Sequence, residues 1–335
     1  MTLPPRRAAG AALLGIVAAA AAGADLLQVH PSARQFRDFV YAPPMPPRIV
    51  DAGGRLRPPF VYPLRLEDRL ERRFVEDRAQ PMPLRLFSGG ALLAADGPSP
   101  WFPLGTDGLG RDVLSRLVRG ARTSLGVAFL ASAGALLLGA VAGALAGYAG
   151  GRLDDGLMWA ADFVMALPAI YVVLALRAAA PLVLGAAEVF WTMAAVFILA
   201  GWPLAARTVR AVVAAERTRE YAEAARSIGA GTVRLLLRHL LPAAHGILAA
   251  QAALLLPGFI LAEATLSFVG LGFGEPIPSW GLMLQDAGRG RALAEAPWLL
   301  APAGAIALVV FAVNLVASER ASGASPRYSR DKSLW

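Results

Sequence analysis

The chain of 335 residues contains no cysteine. That excludes a disulfide scaffold, a zinc–thiolate site and an iron–sulfur cluster. Histidine occurs three times, at His30, His239 and His245, too few and too scattered for a histidine-rich metal site. Lysine occurs once, at Lys332. A phosphate loop of the form GxxxxGK[ST] needs a lysine directly after a glycine to reach the phosphates. Lys332 follows Arg330 and Asp331, so the chain carries no such ATP site of its own. The remaining 31 positive charges are arginine, a bias that codon composition accounts for. Charged residues make up only 17% of the chain, against about 25% in an ordinary soluble domain. Hydrophobic residues make up 56%, and the mean hydropathy is +0.53. Those values argue against both a soluble globular protein and a disordered one. No cofactor, no metal and no catalytic residue is expected.

The hydrophobic residues gather into runs. A bilayer core needs about 20 apolar residues per helix. Six runs approach that length: 8–27, 124–148, 157–176, 187–204, 246–268 and 297–317. The 124–148 run is free of charge; the 8–27 run is the weakest, being mostly alanine. The fold class expected is therefore an all-α integral membrane protein with six transmembrane helices. The first run has a rival reading as a secretory signal, because Arg6-Arg7 precede it and small residues close it. Its length favours a retained helix. Either way, residue 28 lies outside the cytoplasm.

Arginine sets the orientation. With the N-terminus inside, the inner parts hold 14 positive charges and the two short outer loops hold 3. This is the positive-inside bias. Another 15 lie in 28–123, a segment long enough to translocate regardless of charge. The net charge of +8 and pI near 10.6 thus need no nucleic acid. The expected layout is an N-terminus and first helix at 1–27, an extracytoplasmic segment at 28–123, a five-helix core at 124–317 and a cytoplasmic tail at 318–335. Prolines such as Pro43-Pro44, Pro58-Pro59 and Pro83 break helices and disfavour central strands. A short charged helix is expected at 66–78. The segment reads equally as a spacer or as a docking surface.

The one long inner loop is 205–245. Its first part, 205–227, is rich in Ala, Arg and Glu and reads as helix. Gly229 and Gly231 interrupt it, Thr232 is placed to cap a second helix, and that helix ends before Pro242. Ala224, Ala225 and Gly229 form a small, close-approach surface suited to a groove on another protein.

Within that loop, Glu223-Ala224-Ala225, then Gly229, then Leu241-Pro242, resembles the EAA loop of permease subunits in binding-protein-dependent ABC importers. Arg238-His239 before Leu-Leu-Pro is similar to the dipeptide/oligopeptide branch, although Ala243 replaces its usual Asn. Gly105-Thr106-Asp107, Gly110-Arg111-Asp112, Ser115-Arg116 and Gly120-Ala121-Arg122 resemble the same branch. So do Gly201-Trp202-Pro203 and Pro278-Ser279-Trp280-Gly281. The likeness covers roughly 104–317.

It implies a chain in the bacterial cytoplasmic (inner) membrane with both termini inside. Its partners would be a second homologous permease subunit, two ATPase subunits, an extracytoplasmic substrate-binding protein and membrane lipid. Glu223, Ala224, Ala225, Gly229, Leu241 and Pro242 would couple the chain to an ATPase. The implied cargo is di- or oligopeptides; nickel and peptide-like antibiotics are alternatives. Asp162, His245, Gln251, Glu263 and Asn314 are candidates for the pathway wall, since ionisable groups in a membrane usually face the bundle interior. Asp162 also reads as a first-turn acid and Glu263 as a headgroup-level one. The motif at Asp107, Arg111 and Asp112 reads as internal ion pairing ahead of a docking site. A membrane enzyme lacks its motifs here, with no HExxH or GxSxG. An ion-coupled transporter would show paired acids, and the acids here are isolated.

Overall fold

The computed structural model describes residues 5–69, 71–88, 90–168, 185–289 and 292–322. The helices are α1 (Pro5–Ala22), α2 (Ala24–Leu27), α3 (Val113–Ala149), α4 (Gly151–Ala166), α5 (Ala186–Glu216), α6 (Glu220–Ser227), α7 (Thr232–Leu235), α8 (His245–Phe268), α9 (Trp280–Ala287), α10 (Ala292–Glu295) and α11 (Ala301–Ser322). Four helical stretches among the described residues are long and apolar enough to cross a membrane. They are Val113–Ala149, Ala186–Glu216, Thr232–Phe268 and Pro297–Ala317, and they contain the second, fourth, fifth and sixth runs. The first run forms most of α1 and all of α2, and α1, diluted by Arg6 and Arg7, is not among the four. The third run begins in α4; its residues 169–176 lie outside the described residues.

The contact that organises the bundle is α3 against α5. A side chain on Gly147 would begin 2.6 Å from the Arg210 carbonyl oxygen, and one on Gly139 would begin 2.7 Å from that of Trp202. Between them, Gly143 faces Ala206 and Arg210. Partners on α5 advance in step with the glycines on α3, so the two helices run parallel. Gly139, Gly143 and Gly147 are spaced by four and share one face. Such spacing lets backbones approach where lipid supplies no hydrophobic drive between helices. The core then fills from Val127, Ala128, Ala131 and Ala135 of α3, Met193 and Phe197 of α5, Phe259 and Ile260 of α8, and Ile306, Val309 and Val313 of α11. Phe197 and Phe259 stack with ring centroids 5.2 Å apart. α1 lies along α11, with Gly10 against Ala312 and Leu315.

The expectation of an all-α chain fails between residues 48 and 95. Six strands form there: β1 (Arg48–Val50), β2 (Leu56–Val61), β3 (Leu64–Asp68), β4 (Arg73–Glu76), β5 (Met82–Ser88) and β6 (Ala91–Ala95). One antiparallel sheet has the order β1-β2-β5-β6, and β3 pairs with β4 as a separate hairpin. The charged helix expected at 66–78 is this hairpin. Its burial alternates with a period of two along both strands, so successive side chains take opposite faces. Pro58 and Pro59 sit inside β2, an inner strand. The register between β1 and β2 shifts between Arg48 and Val50, and this irregularity takes up the missing donors. Met45, Val61, Leu64, Met82, Trp101 and Phe102 form the core of this part.

α3 starts at Asp112, whose carboxylate accepts a hydrogen bond from the Ser115 amide at 3.0 Å. Burial pushes the Asp112 carboxyl up to about 6, against the opposing pull of Ser115.

Two outcomes follow from this packing. Gly143→Leu forces α3 off α5 and lowers stability by about 1–3 kcal/mol or more, read as thermal unfolding in detergent. Gly15→Leu, with no atom within 4 Å of the new Cβ, leaves the melt unchanged; equal melts for both would show that the helices do not meet there. The folded chain also holds the Asp112 proton more tightly than the unfolded chain, where it titrates near 3.8. The associated stability is fully present below about pH 4 and is lost as pH rises through about 6. Wild type should therefore lose stability against Asp112→Asn across that window, by roughly 3 kcal/mol at most.

Candidate functional site

At the end of the bundle where α5 finishes, the chain does not continue as the single helix expected over 205–227. α5 stops at Glu216, and α6 begins afresh at Glu220 after an extended Arg219. Glu220 and Glu223 lie in the first turn of α6, where the helix dipole favours acids. Gly229 closes α6 at φ +87°. The Ala230 amide donates to the Ala225 carbonyl at 3.0 Å and the Gly229 amide to the Arg226 carbonyl at 2.9 Å. Only glycine adopts this closing conformation without strain.

Ala222 and Ala225 turn inward, against Ala144 of α3, Val209 and Val213 of α5, and Leu235, Leu236 and Leu240. The surface anticipated from Ala224, Ala225 and Gly229 therefore loses Ala225. Glu223, Ala224, Ile228 and Gly229 are exposed, Ile228 to 87%, and no atom lies within 4 Å of the Gly229 Cβ position. Val233 and Leu237 extend this exposed apolar surface. Sequence reasoning missed these three residues; their signal was large aliphatic type within a charged stretch.

Two further expectations change here. Gly231, and not Thr232, holds the cap position of α7, and no side chain caps it. Pro242 does not end the helix. The Leu241 amide donates back to the Leu236 carbonyl in a π turn over Leu236–Leu240. Pro242 then falls in the first turn of a 3₁₀ segment, Leu241–Ala244, where its missing N–H costs no intrahelical bond. The chain enters α8 directly. Leu241 is half-buried against the apolar cluster and Pro242 is exposed.

The opposite end carries the Gly105–Asp112 motif, and it is buried. Gly105 and Gly110 have φ of +74° and +72°, and Gly110 lies against the Phe36 backbone. The Thr106 hydroxyl accepts from the Ala42 amide at 2.8 Å and donates to the Phe39 carbonyl. The Trp298 indole donates to the Thr106 carbonyl at 2.9 Å. The Asp107 carboxylate accepts from the amides of Leu109 and Arg111, both at 2.9 Å, and from Arg111 Nε at 2.7 Å. Arg111 also reaches Glu275 at 2.6 Å and Asp286 at 3.0 Å. Arg116 reaches Glu275 at 2.9 Å.

Both arginines are nearly inaccessible. Burial raises the Glu275 carboxyl, but Arg116 and Arg111 override it and hold the group below its ordinary range. For Asp286 burial wins, and its carboxyl is raised. The pairing joins the motif to the segment after α8 and to α9. Glu275 and Asp286 were missed because their spacing from the motif, more than 150 residues, gives no local signal.

The five polar residues expected on the pathway separate. Asp162 pairs with Arg207 of α5, late in α4 and not in its first turn. His245 Nδ1 donates to the Pro242 carbonyl at 2.7 Å. Gln251 donates to Thr208 at 2.6 Å. Glu263 is fully buried, accepts from Ser267 at 2.7 Å, and does not sit in headgroup-level solvent. Asn314 lines an open groove of about 700 Å³ with Leu261, Thr265, Phe268, Leu284 and Val310.

The family described as binding-protein-dependent transport system inner membrane component matches residues 135–318. The oligopeptide transport system permease protein OppC of Bacillus subtilis is 37% identical over 234 residues, 69% of this chain and 73% of its own. The dipeptide transport system permease protein DppC of the same organism is 37% identical over 231 residues, 69% of each chain. A solved structure of the MetNI methionine ABC transporter, in inward-facing conformations, covers 61% of this chain and 95% of its own, with 19% identity and a TM-score of 0.47. By the extent of the family match and the identity to these permeases, the chain belongs to the binding-protein-dependent transport system inner membrane components.

Proposed function

We propose that the chain is the membrane permease subunit of an ABC importer for di- and oligopeptides. It forms half of the translocation pathway beside a second, homologous permease subunit. The observation that carries this reading is the exposed Glu223–Gly229 segment. It stands at one end of the apolar bundle, with open space over Gly229 and apolar Ile228 beside it. A chain whose lone lysine follows no glycine has no phosphate loop, so ATP hydrolysis falls to two separate ATPase subunits. Their grooves receive α6, with Leu241 and Pro242 marking the return into the membrane.

The arginine distribution places this end, and both termini, in the cytoplasm. Six spans, including the first and third apolar runs, complete the topology in the bacterial inner membrane. The β-sheet part lies outside, where an extracytoplasmic binding protein delivers cargo. Asn314 lines the pathway. The peptide assignment rests on the oligopeptide and dipeptide permeases among the relatives.

Gly229→Asp should abolish co-purification of the ATPase subunits while leaving membrane insertion intact. Gly229→Ala introduces the same backbone strain without the bulk and should retain capture. Wild-type capture and transport in Gly229→Asp would remove α6 from the interface. The cargo is read separately, from the ligand held by the binding protein that co-purifies with the complex. A peptide is expected; a nickel chelate would replace the substrate and leave the permease role standing.

A further inference from the structure

Tyr148 is the penultimate residue of α3, and three other parts of the chain converge on it. Its carbonyl oxygen accepts from Arg217 Nη1 at 2.8 Å, just beyond α5. Its ring lies beneath the Arg226 guanidinium of α6, 5.6 Å from carbon to centroid. Its hydroxyl is 3.4 Å from the hydroxyl of Thr232, the first residue of α7. It also packs on the apolar cluster that receives Ala222 and Ala225. Those alanines carry no directional group, so they hold α6 close without fixing its angle. The contacts to Tyr148 are directional and grip α6 and α7 from the same point.

From Val113 to Ala149, α3 runs 37 residues without a break, about 55 Å at the helical rise. Its far end bears Arg116, part of the charged cluster that fastens α3 to the segment after α8 and to α9. One stiff element thus has a clamp at each end. Such an element transmits displacement where a flexible connection would absorb it.

We propose that Tyr148 is a positioning residue that passes displacement of α6 and α7 to α3, and so links ATPase movement to the opposite face. This rests on the reading of α6 as the ATPase-docking helix.

The test uses the complete importer in proteoliposomes with its binding protein, comparing Tyr148→Leu, Tyr148→Phe, Arg226→Ala and the Tyr148→Leu/Arg226→Ala double variant. Three quantities are read: ATPase co-purification, basal hydrolysis, and transport per ATP. Tyr148→Leu should keep the first two and lose transport per ATP by about 2- to 30-fold, the range expected for a broken coupling contact. Tyr148→Phe, which keeps the ring, should recover most of it. Arg226→Ala should show a similar loss, and the double variant should be no worse than Tyr148→Leu.

Wild-type transport per ATP in Tyr148→Leu, or losses that add in the double variant, would overturn the proposal. If Tyr148→Leu fails to assemble, Arg226→Ala decides: unchanged transport per ATP in that exposed variant overturns it too. Failure of the wild-type chain to capture ATPases would instead sink the docking reading beneath it.

Discussion

Backbone-to-backbone contact between α3 and α5 is the constraint on which the other positions depend. In lipid, burying leucine against leucine gains little, since the alternative surroundings are equally apolar. What holds two helices is dispersion at close range, and that requires side chains small enough to let the cylinders meet. Gly139, Gly143 and Gly147 supply this on α3, while Ala205, Ala206 and Val209 supply the facing surface on α5. Because the pairing is parallel, both helices finish at the same end. The last turn of α3 therefore lies beside the last turn of α5, and α6 lands on both. Without the glycine ladder, Arg217 would not reach the Tyr148 carbonyl, and Ala222 and Ala225 would have no apolar floor.

The opposite end is held by a different kind of force. Arg111 and Arg116 are almost wholly buried and share Asp107, Glu275 and Asp286. Desolvating such groups costs more than a lone pair returns, and it becomes tolerable only when each guanidinium N–H finds an oxygen. Arg111 meets that condition with three carboxylates. A buried network of this kind is a weak source of stability but a strict source of geometry, because a shifted partner leaves a charge unpaired. It fixes where the segment after α8 and α9 sit relative to α3. The two ends thus differ in character: a dispersion-held joint with one directional clamp, and a charge-held joint with many.

Four spans were legible in the sequence because length and hydropathy alone determine them. The Glu223–Gly229 segment was legible as a distinct element through its motif, and its glycine break through the backbone conformation that Gly229 permits. The β-sheet part was not. Dense prolines hid the strands, since a proline removes a ladder donor, and whether a strand tolerates that depends on a partner strand that local pattern does not name. The Leu64–Glu76 hairpin was mistaken for a helix because its density of charge was read without the period of two in its burial. Ala225 was placed on the wrong face of α6 because the motif gives residue types and not a helical phase. Phase is set by the floor on α3 and α5, more than fifty residues away for α3. Glu275 and Asp286 escaped for the same reason, their partners being remote in sequence.

The fate of the membrane-depth polar residues shows how far composition can go toward a pathway. Rarity in apolar surroundings singled out five, but two prove to be partners of another helix: Asp162 of Arg207 and Gln251 of Thr208. Each of these two ties serves to orient one helix against another, whereas Glu263 is bonded to Ser267 within α8. Asn314, bonded within its own helix to the Val310 carbonyl at 2.9 Å, lines the groove between α8, α9 and α11. That groove is walled mostly by aliphatic and aromatic side chains, with Thr265 its other polar group. A wall of this composition offers few hydrogen bonds by which to tell one cargo from another. Under the function proposed above, discrimination among cargoes resides in the soluble protein that delivers them, and this chain supplies the passage.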